Sequence, residues 1–183
     1  LAQEKSVSEI VCASRNLKRA REFISTKSHK VHVHKLDASQ QSDVVKLAKN
    51  FDLIINSSTP RYNEILMQAA LKAHCDYQDL ASYFIDHRHA EQLSFHKQFQ
   101  RERLVGLINT GGAPGVTNIL ARDGADRFDS VSDVKIRLFE DQKAREMIFS
   151  WSPETTLKDL TSSPLLYRNG RFVHAKPFSE PEN

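Results

Sequence analysis

Five short segments of polar or small residues could bind a ligand or take part in catalysis. They are Ser14-Arg15-Asn16, Asp37-Ala38-Ser39, Asn56-Ser57-Ser58-Thr59, Asp79-Leu80-Ala81-Ser82 and residues 109–115. Each follows a run of residues that predicts a β-strand. In parallel α/β sheets, ligands bind outside the carboxyl ends of the strands. We therefore expect the five segments to form one continuous polar rim.

Ser14 and Arg15 predict a phosphate site. A guanidinium can bind phosphate through two parallel hydrogen bonds, and a serine hydroxyl adds a third donor. In dinucleotide-binding domains an acidic residue after the second strand binds the ribose of NAD, whereas an arginine there accommodates the 2′-phosphate of NADP. The alternative is that Ser14 caps the following helix and that Arg15 is a solvated surface charge.

Two further segments have both a binding and a structural interpretation. Asp37 could accept a hydrogen bond from an adenine edge, or it could cap a turn. Residues 56–58 could face a pyrophosphate or a nicotinamide, or they could form an ordinary polar loop before the helix that includes Pro60 in its first turn.

The segment from Asn109 to Gly115 holds three of the six glycines in the chain. Glycine permits a positive φ and a close approach of a ligand to the backbone. We expect the helix that follows to offer free backbone N–H groups to an anion such as a substrate carboxylate. The alternative is a tight turn that starts a helix.

The elements that would position these segments alternate along residues 8–128. Hydrophobic patterns predict strands at 8–13, 31–36, 52–55, 74–80 and 105–108, and helices at 17–24, 42–48, 61–73, 85–103 and 116–128. Short apolar strands alternating with helices are typical of βαβ units and a parallel sheet. The predicted fold class is therefore α/β, with a Rossmann-type parallel sheet.

The pattern changes after Phe128, and we place a domain boundary at residues 128–130. Residues 132–139 alternate as a strand, residues 147–151 could pair with it, and residues from Pro153 onward carry turn signals. Asn169-Gly170 between two apolar runs predicts a β-hairpin. The prediction is a first domain at 1–128 and the start of a second, α+β domain at 129–183.

Composition and missing motifs argue against several classes of protein. The net charge is only +3, from 26 basic and 23 acidic residues, which does not favour a dedicated nucleic-acid binder. No apolar run approaches the roughly 20 residues that cross a bilayer. Two cysteines exclude a disulfide scaffold, and the pairs His32/His34 and His87/His89 lack a third ligand, so no metal site is predicted.

The chain resembles the saccharopine dehydrogenase-like family of NAD(P)-dependent oxidoreductases. The segments that carry the resemblance are IVCASRNLKRA (10–20), LDAS (36–39) with DLIINSSTP (52–60), CDYQDLA (75–81), GGAPGVTN (111–118) and FSWSPE (149–154). Family members open with a strand and a G-x-G-x-x-G turn, whereas all six glycines here lie at or beyond residue 106. The resemblance implies a chain that lacks this first strand and turn, and that ends before its second domain, for substrate binding and dimerisation, is complete.

The resemblance also implies roles for the rim residues, with NADP as the cofactor and NAD as a possibility. Ser14 and Arg15 match the 2′-phosphate site, and Asp37 and Ala38 the adenine side. The loop beside the nicotinamide is matched by Asn56, Ser57 and Ser58. The substrate side is matched by Gly111, Gly112, Pro114, Gly115 and Asn118. Asp79, from its place on the rim, is the candidate catalytic group.

The implied function is hydride transfer at a C–N bond of an amino acid or a polyamine-like substrate. A homodimer is expected from the family, and a cytoplasmic location from the reduced cysteines and the absence of a signal peptide. The family includes saccharopine dehydrogenases, lysine 6-dehydrogenases and carboxynorspermidine dehydrogenases, and Ala113, where saccharopine-forming members tend to have Asp before the proline, slightly favours the lysine dehydrogenase-like branch. One alternative is a non-catalytic member that binds NADP or a partner chain. A carbonyl reductase of another Rossmann type is a weaker one, because no Tyr-x-x-x-Lys pair is present.

Overall fold

A computed structural model describes residues 1–24, 28–86, 89–139, 143, 145, 149 and 152–179. Strands and helices alternate through the first 125 residues, as predicted, except that two short strands at Phe84–Asp86 and His89–Ala90 directly follow the strand at Asp76–Asp79. The elements are β1 (Ile10–Ser14), α1 (Leu17–Phe23), β2 (Val31–Lys35), α2 (Gln41–Ala48), β3 (Leu53–Asn56), α3 (Asn63–Ala73), β4 (Asp76–Asp79), β5 (Phe84–Asp86), β6 (His89–Ala90), α4 (His96–Glu102), β7 (Gly106–Leu107), α5 (Val116–Ala125), α6 (Pro153–Thr161), β8 (Leu165–Arg168) and β9 (Arg171–His174). Short 3₁₀ turns at Pro60–Tyr62 and Glu91–Phe95 precede α3 and α4.

The principal strands form two parallel sheets. β1 pairs with β2, and β4 lies between β3 and β7. A doubly wound sheet has the strand order 3-2-1-4-5-6. The order β2-β1 corresponds to 3-2 and the order β3-β4-β7 to 4-5-6, and no strand of the described residues occupies the first position. The predicted parallel α/β architecture is confirmed.

The core lies where α2 and α3 pack against each other and against the three-stranded sheet. α3 is buried because Leu66, Met67, Ala69 and Ala70 recur on one side of it. The core also contains Val44 and Ala48 of α2, Tyr77 of β4, and Phe95 and Phe99 on either side of the start of α4. These contacts place the chain segments that follow β3, β4 and β7 beside one another.

The predicted helix at 85–103 is wrong over its first half. Among the described residues of this range, only His96–Glu102 is α-helical, and it follows the antiparallel pair β5-β6 and the 3₁₀ turn. The physical reason is tertiary: Glu91 binds Tyr83 N in the loop after β4 and Gln92 binds Asp79 at the end of β4, so these buried polar side chains do not face solvent. Tertiary contacts of this kind override helix propensity.

The predicted strand at 132–139 is not formed. Residues 131–139 have exposed side chains and no regular structure, because no strand of the described residues pairs with them and a strand needs a ladder partner. Its proposed partner at 147–151 lies, except for residue 149, outside the described residues. The first turn signal, at Pro153, does not mark a turn: α6 begins there, and Ser152 caps it by accepting a hydrogen bond from Thr155 N at 3.4 Å.

The hairpin prediction at Asn169-Gly170 is confirmed. β8 and β9 pair antiparallel with Arg168 opposite Arg171, and both turn residues have a positive φ, 50° and 77°. Such a conformation is the reason for the Asn-Gly preference of two-residue hairpin turns. The domain boundary at 128–130 stays a prediction. In the described part of the chain, every helix is too short or too polar to cross a bilayer.

Candidate cofactor-binding site

An open cavity of about 700 Å³ lies between β2 and α2, next to the end of β1. Arg15 and Asp37, two of the predicted cofactor residues, both line it. The other lining residues are His34, Lys35, Leu36, Asp43, Lys46, Leu47 and Asn50. The charges are mixed, with three permanent cations and two carboxylates, and the cavity is large enough for part of a nucleotide.

Ser14 shapes the turn that presents Arg15. Its hydroxyl accepts a hydrogen bond from Asn16 N at 3.2 Å and donates to Asn16 O at 3.3 Å. The cap of α1 is therefore not Ser14 but Asn16, whose Oδ1 accepts from Arg19 N at 3.0 Å. Arg15 follows the last residue of β1 and is exposed, so its guanidinium is accessible to an anion in the cavity.

Asp37 forms a turn and remains ionised. Its Oδ1 accepts from Ser39 N at 2.9 Å and from Ser39 Oγ at 2.8 Å. These two hydrogen bonds, with a smaller contribution from the positive charge of Arg15, lower the pKa of Asp37. Ala38 is half-buried and packs against the core. The structural interpretation of Asp37 as a turn cap thus holds, and its position in the cavity leaves the binding role open.

The loop after β3 is built around Asn56, which is buried. Its Oδ1 accepts from Ser58 N at 3.0 Å and from Ser58 Oγ at 2.6 Å, while its Nδ2 donates to Asn63 Oδ1 at 2.7 Å. Ser57 and Ser58 are exposed. Asn56 therefore shapes the loop from inside, and the two serines are the members of this trio that a ligand can reach.

Asp79 lies opposite Asn56 in the β3-β4 register, but its side chain is buried, with 1% exposure. Its Oδ2 accepts from Gln92 Nε2 at 2.9 Å, and its Oδ1 accepts from Asn109 N at 2.8 Å. Both carboxylate oxygens thus hold neighbouring segments of chain. This arrangement differs from the rim-facing catalytic role that the sequence predicted for Asp79.

Asn63, at the start of α3, makes four hydrogen bonds and is completely buried. Its Oδ1 accepts from Asn56 and, at 3.1 Å, from Tyr77 OH, and its Nδ2 donates to Ala81 O at 2.8 Å and to Glu91 Oε1 at 2.7 Å. Burial, followed by the nearby charge of Asp79, raises the pKa of Tyr77 far above its ordinary value, so the phenol stays a donor.

We call Asn63, Asp79, Glu91 and Gln92 the buried clamp. Glu91 Oε1 accepts from Tyr83 N at 3.0 Å as well as from Asn63, so the clamp reaches both ends of the loop between β4 and β5. Sequence reasoning missed three of the four members. Their polar types are equally common on solvated helix faces, and no local signal in the sequence distinguishes the two situations.

The glycine segment corrects the expectation of free helix N–H groups. The N–H groups of Val116, Thr117 and Asn118 donate to the carbonyls of Gly111, Gly112 and Gly115 at 3.0–3.1 Å. Asn118 Oδ1 accepts from Gly115 N at 2.9 Å. The predicted substrate-side residues, including the half-buried Pro114, thus form a closed loop whose first-turn donors are already satisfied.

The loop after β4 also contacts α6. Lys158 Nζ lies 4.8 Å from the centroid of the Tyr83 ring, a cation–π contact. No group of three potential metal ligands occurs among the residues that the structure describes, and His87 lies outside them.

A parallel α/β sheet with an arginine-lined cavity at the ends of two neighbouring strands is typical of dinucleotide-binding proteins. Residues 1–105 match the family described as the saccharopine dehydrogenase NADP binding domain, and the chain belongs to this family. The resemblance given above is thereby confirmed.

Curated relatives and a solved structure agree with this assignment. The chain is 28% identical over 180 residues to carboxyaminopropylagmatine dehydrogenase of Synechocystis sp., and 22% identical over 187 residues to carboxynorspermidine synthase of Vibrio cholerae. These alignments cover 93% and 90% of the chain, which spans 45% of the length of each relative. Apo saccharopine dehydrogenase (L-Glu forming) from Saccharomyces cerevisiae has the same fold, with a TM-score of 0.66 at 16% identity over 97% of this chain and 40% of that one.

Proposed function

We propose that the chain binds NADP and forms the cofactor-binding part of an oxidoreductase that acts at a C–N bond of an amino-acid or polyamine-like substrate. The observation that carries the proposal is the cavity at the ends of β1 and β2, where Arg15 lies beside an ionised Asp37. The names of the relatives, one a dehydrogenase and both of carboxylated amines, support the reaction class and the kind of substrate.

Different residues of the rim would bind different parts of the cofactor. Ser14 and Arg15 would hold the 2′-phosphate, with Lys46 across the cavity adding positive charge. Asp37 and the Ala38 backbone would meet the adenosine, and the loop of Asn56, Ser57 and Ser58 the nicotinamide end. When bound, NADP supplies the hydride acceptor or donor, and the protein supplies its orientation and electrostatic surroundings.

The substrate would approach the nicotinamide from the side of the Gly111–Asn118 segment. A carboxylated amine would meet Lys158 of α6, which lies on Tyr83 at the end of the loop after β4. The homodimer and the cytoplasmic location expected from the sequence belong to the same proposal.

The test is a calorimetric titration of the full-length protein with 2′-phospho-AMP, NADPH and NADH. We expect Arg15→Glu to weaken 2′-phospho-AMP binding about 10- to 100-fold, because charge-assisted hydrogen bonds are each worth roughly 1.5–3 kcal/mol. NADH binding should change much less. The matched control is Arg21→Glu, an equal charge change on the exposed surface of α1, outside the cavity. A wild-type protein without preference for the phosphorylated ligand, or equal losses in both variants, would contradict the proposal.

The burial of Asp79 keeps the non-catalytic alternative open, because the rim carboxylate expected to move a proton is engaged elsewhere. The two functions separate in one further assay. A catalytic protein reduces NADP⁺ with at least one member of a panel of amino acids, polyamines and carboxylated polyamines, or oxidises NADPH when an amine of the panel is paired with an aldehyde or a 2-oxo acid, because the imine that they form accepts the hydride. A non-catalytic member binds the cofactor but turns over none of the panel.

A further inference from the structure

The buried clamp joins three loops that are far apart in sequence. Asn63 binds the loop after β3 through Asn56 and the loop after β4 through Ala81 O. Asp79, at the end of β4, binds the loop after β7 through Asn109 N. The clamp therefore links the carboxyl ends of β3, β4 and β7, where a doubly wound sheet receives its ligand.

Most hydrogen-bonding groups of the clamp serve this linkage, and among the described residues only Glu91 Oε2 and Gln92 Oε1 of the clamp are buried without a hydrogen-bond partner. The side chain of Asn63 has two donors and two acceptor sites, and all four are engaged. Gln92 Nε2 donates to Asp79 Oδ2 and, at 3.4 Å, to Ala81 O. Such a network holds its members in one arrangement before any ligand arrives, because each displaced group would leave a buried partner unsatisfied.

Direct contacts between the loops add to the linkage. Ser82 Oγ donates to Asn109 Oδ1 at 2.6 Å, Thr110 Oγ1 donates to Asp79 O at 2.7 Å, and Gln78 Nε2 donates to Thr110 Oγ1 at 2.9 Å. The Arg15 cavity, by contrast, is lined by residues of the β1–α2 segment alone. The two ends of the candidate site are thus held by separate sets of residues.

We propose that Asn63, Asp79, Glu91 and Gln92 are positioning residues that hold the loops after β3, β4 and β7 in the arrangement that receives the nicotinamide end of the cofactor. This inference rests on the proposed function and adds two statements to it. Asp79 acts through the loops and does not itself exchange a proton with the substrate. The adenosine end of the site does not depend on the clamp.

The test exchanges donor and acceptor within the Asp79–Gln92 pair of the full-length protein. Gln92→Glu places two carboxylates against each other, and Asp79→Asn places two amide NH₂ groups against each other while its Oδ1 still accepts from Asn109 N. The double variant Asp79→Asn/Gln92→Glu restores one donor facing one acceptor between residues 79 and 92, while the longer bond from residue 92 to Ala81 O stays lost. Its recovery relative to the two single variants measures the coupling between the two residues.

We expect each single variant to lower kcat/KM for NADPH-dependent turnover about 10- to 100-fold, the loss that misplacement by roughly 1 Å can cause. The double variant should recover to within about 5-fold of wild type, since the pair is again complementary. Affinity for 2′-phospho-AMP should stay within about 2-fold throughout, which also shows that each variant is folded. The matched control is Gln41→Glu, which alters the exposed hydrogen bond between α2 and Gln68 and should change none of these values.

Two outcomes overturn the proposal. A double variant no better than the worse single variant would mean that the Asp79 carboxylate takes part in the chemistry. Single variants with wild-type turnover would mean that the loops held by the clamp do not need this arrangement for turnover. If the single variants do not fold, Ser82→Ala tests the loop arrangement directly, because it removes only the bond to Asn109. It should lower kcat/KM about 3- to 10-fold, a smaller loss than that expected for the pair. An unchanged value would show that displacing these loops does not affect turnover and would refute the proposal.

A readout without cofactor separates this inference from the proposed function. The Asn109 amide donates to Asp79 Oδ1, and a mismatched pair at positions 79 and 92 should displace this acceptor. Its hydrogen exchange should therefore be at least about 10-fold faster in each single variant and slow again in the double variant. If wild type binds neither NADPH nor 2′-phospho-AMP, the proposed function fails. If Asn109 then exchanges faster in both single variants and slowly again in the double variant, the clamp is still established. If its exchange rate is the same in all variants, the clamp is refuted.

Discussion

The Arg15 cavity and the buried clamp lie at different strand ends of the candidate site, and their construction is opposite. The cavity is open and lined by charged side chains, with Arg15 exposed to solvent. The clamp is closed, and each of its four residues is at least 93% buried and hydrogen-bonded to its neighbours. A ligand can therefore displace water from the cavity, whereas at the clamp it can only use an arrangement that already exists.

The difference corresponds to two tasks in a site for a dinucleotide. Charge-assisted hydrogen bonds from accessible side chains supply affinity and discrimination between phosphorylated and unphosphorylated ligands. Hydride transfer needs geometry, and geometry is best supplied by groups that are fixed before binding. We therefore expect changes in the cavity to alter binding with little effect on folding, and changes in the clamp to alter folding stability, geometry or both.

The prediction with the largest expected effect compares the stability cost of replacing one asparagine in each region, Asn63 in the clamp and Asn16 beside the cavity. Asn63→Ala removes four hydrogen bonds and leaves Tyr77 OH and the Glu91 carboxylate buried without their partner. We expect a loss of about 3–5 kcal/mol in the free energy of unfolding, measured by urea denaturation of the full-length protein. Asn16→Ala removes one exposed helix cap beside the cavity and should cost about 1 kcal/mol. Equal losses would remove the contrast between the regions.

The same contrast explains how far the sequence could predict the molecule. The parallel sheet, the hairpin at Asn169-Gly170 and the placement of Arg15 with Asp37 follow from local patterns: apolar periodicity, turn chemistry, and the rule that strand ends share an edge. The role of Glu91 and Gln92 could not follow. Their burial depends on contacts with residues about 10 to 30 positions away, and the helical periodicity at 85–103 is the same for a solvated face.

Asp79 shows the limit within the site itself. The sequence placed it correctly at the end of β4, because strand length and alternation fix that position. Whether its carboxylate faces the ligand or the interior depends on Gln92 and Asn109, which approach it from other elements. A rim position alone therefore does not distinguish a catalytic group from a positioning residue.

The second prediction uses the pH dependence of stability. Cys75, immediately before β4, belongs to the hydrophobic core with 1% exposure, and burial raises the pKa of its thiol from 9.0 to about 11. A raised pKa in the folded state stabilises the protein below pH 9, where the thiol is neutral in both states. This stabilisation is lost as the pH rises from about 9 through 11, because the unfolded chain ionises first.

The expected loss from Cys75 between pH 8 and pH 11 is roughly 2–3 kcal/mol, the equivalent of a shift of about two pKa units. Urea denaturation across this range should therefore show a shallower decline in Cys75→Ala than in wild type. The matched control is Cys12→Ala on β1, because the Cys12 side chain is only partly buried. If the slopes of wild type and Cys75→Ala coincide, ionisation of this buried thiol does not limit alkaline stability.

The prediction with the smallest expected effect compares two adjacent glycines, Gly111 and Gly112, and tests whether the clamp and the Arg15 cavity are independent. A Cβ at Gly111 would lie 2.5 Å from Leu80 O, a backbone atom of the loop after β4, whereas a Cβ at Gly112 would meet nothing within 4 Å. Gly111→Ala should therefore push the glycine loop away from the loop after β4 and lower the free energy of unfolding by about 1–2 kcal/mol. Hydrogen exchange should also become faster at Thr110, whose N–H donates to Asp79 O at 3.0 Å. Gly112→Ala, the same substitution one residue later, should leave both values near wild type. Because neither glycine lines the Arg15 cavity, 2′-phospho-AMP should bind both variants equally well. Weaker binding to Gly111→Ala alone would show that the cavity and the clamp are coupled, and that the division drawn between them is wrong.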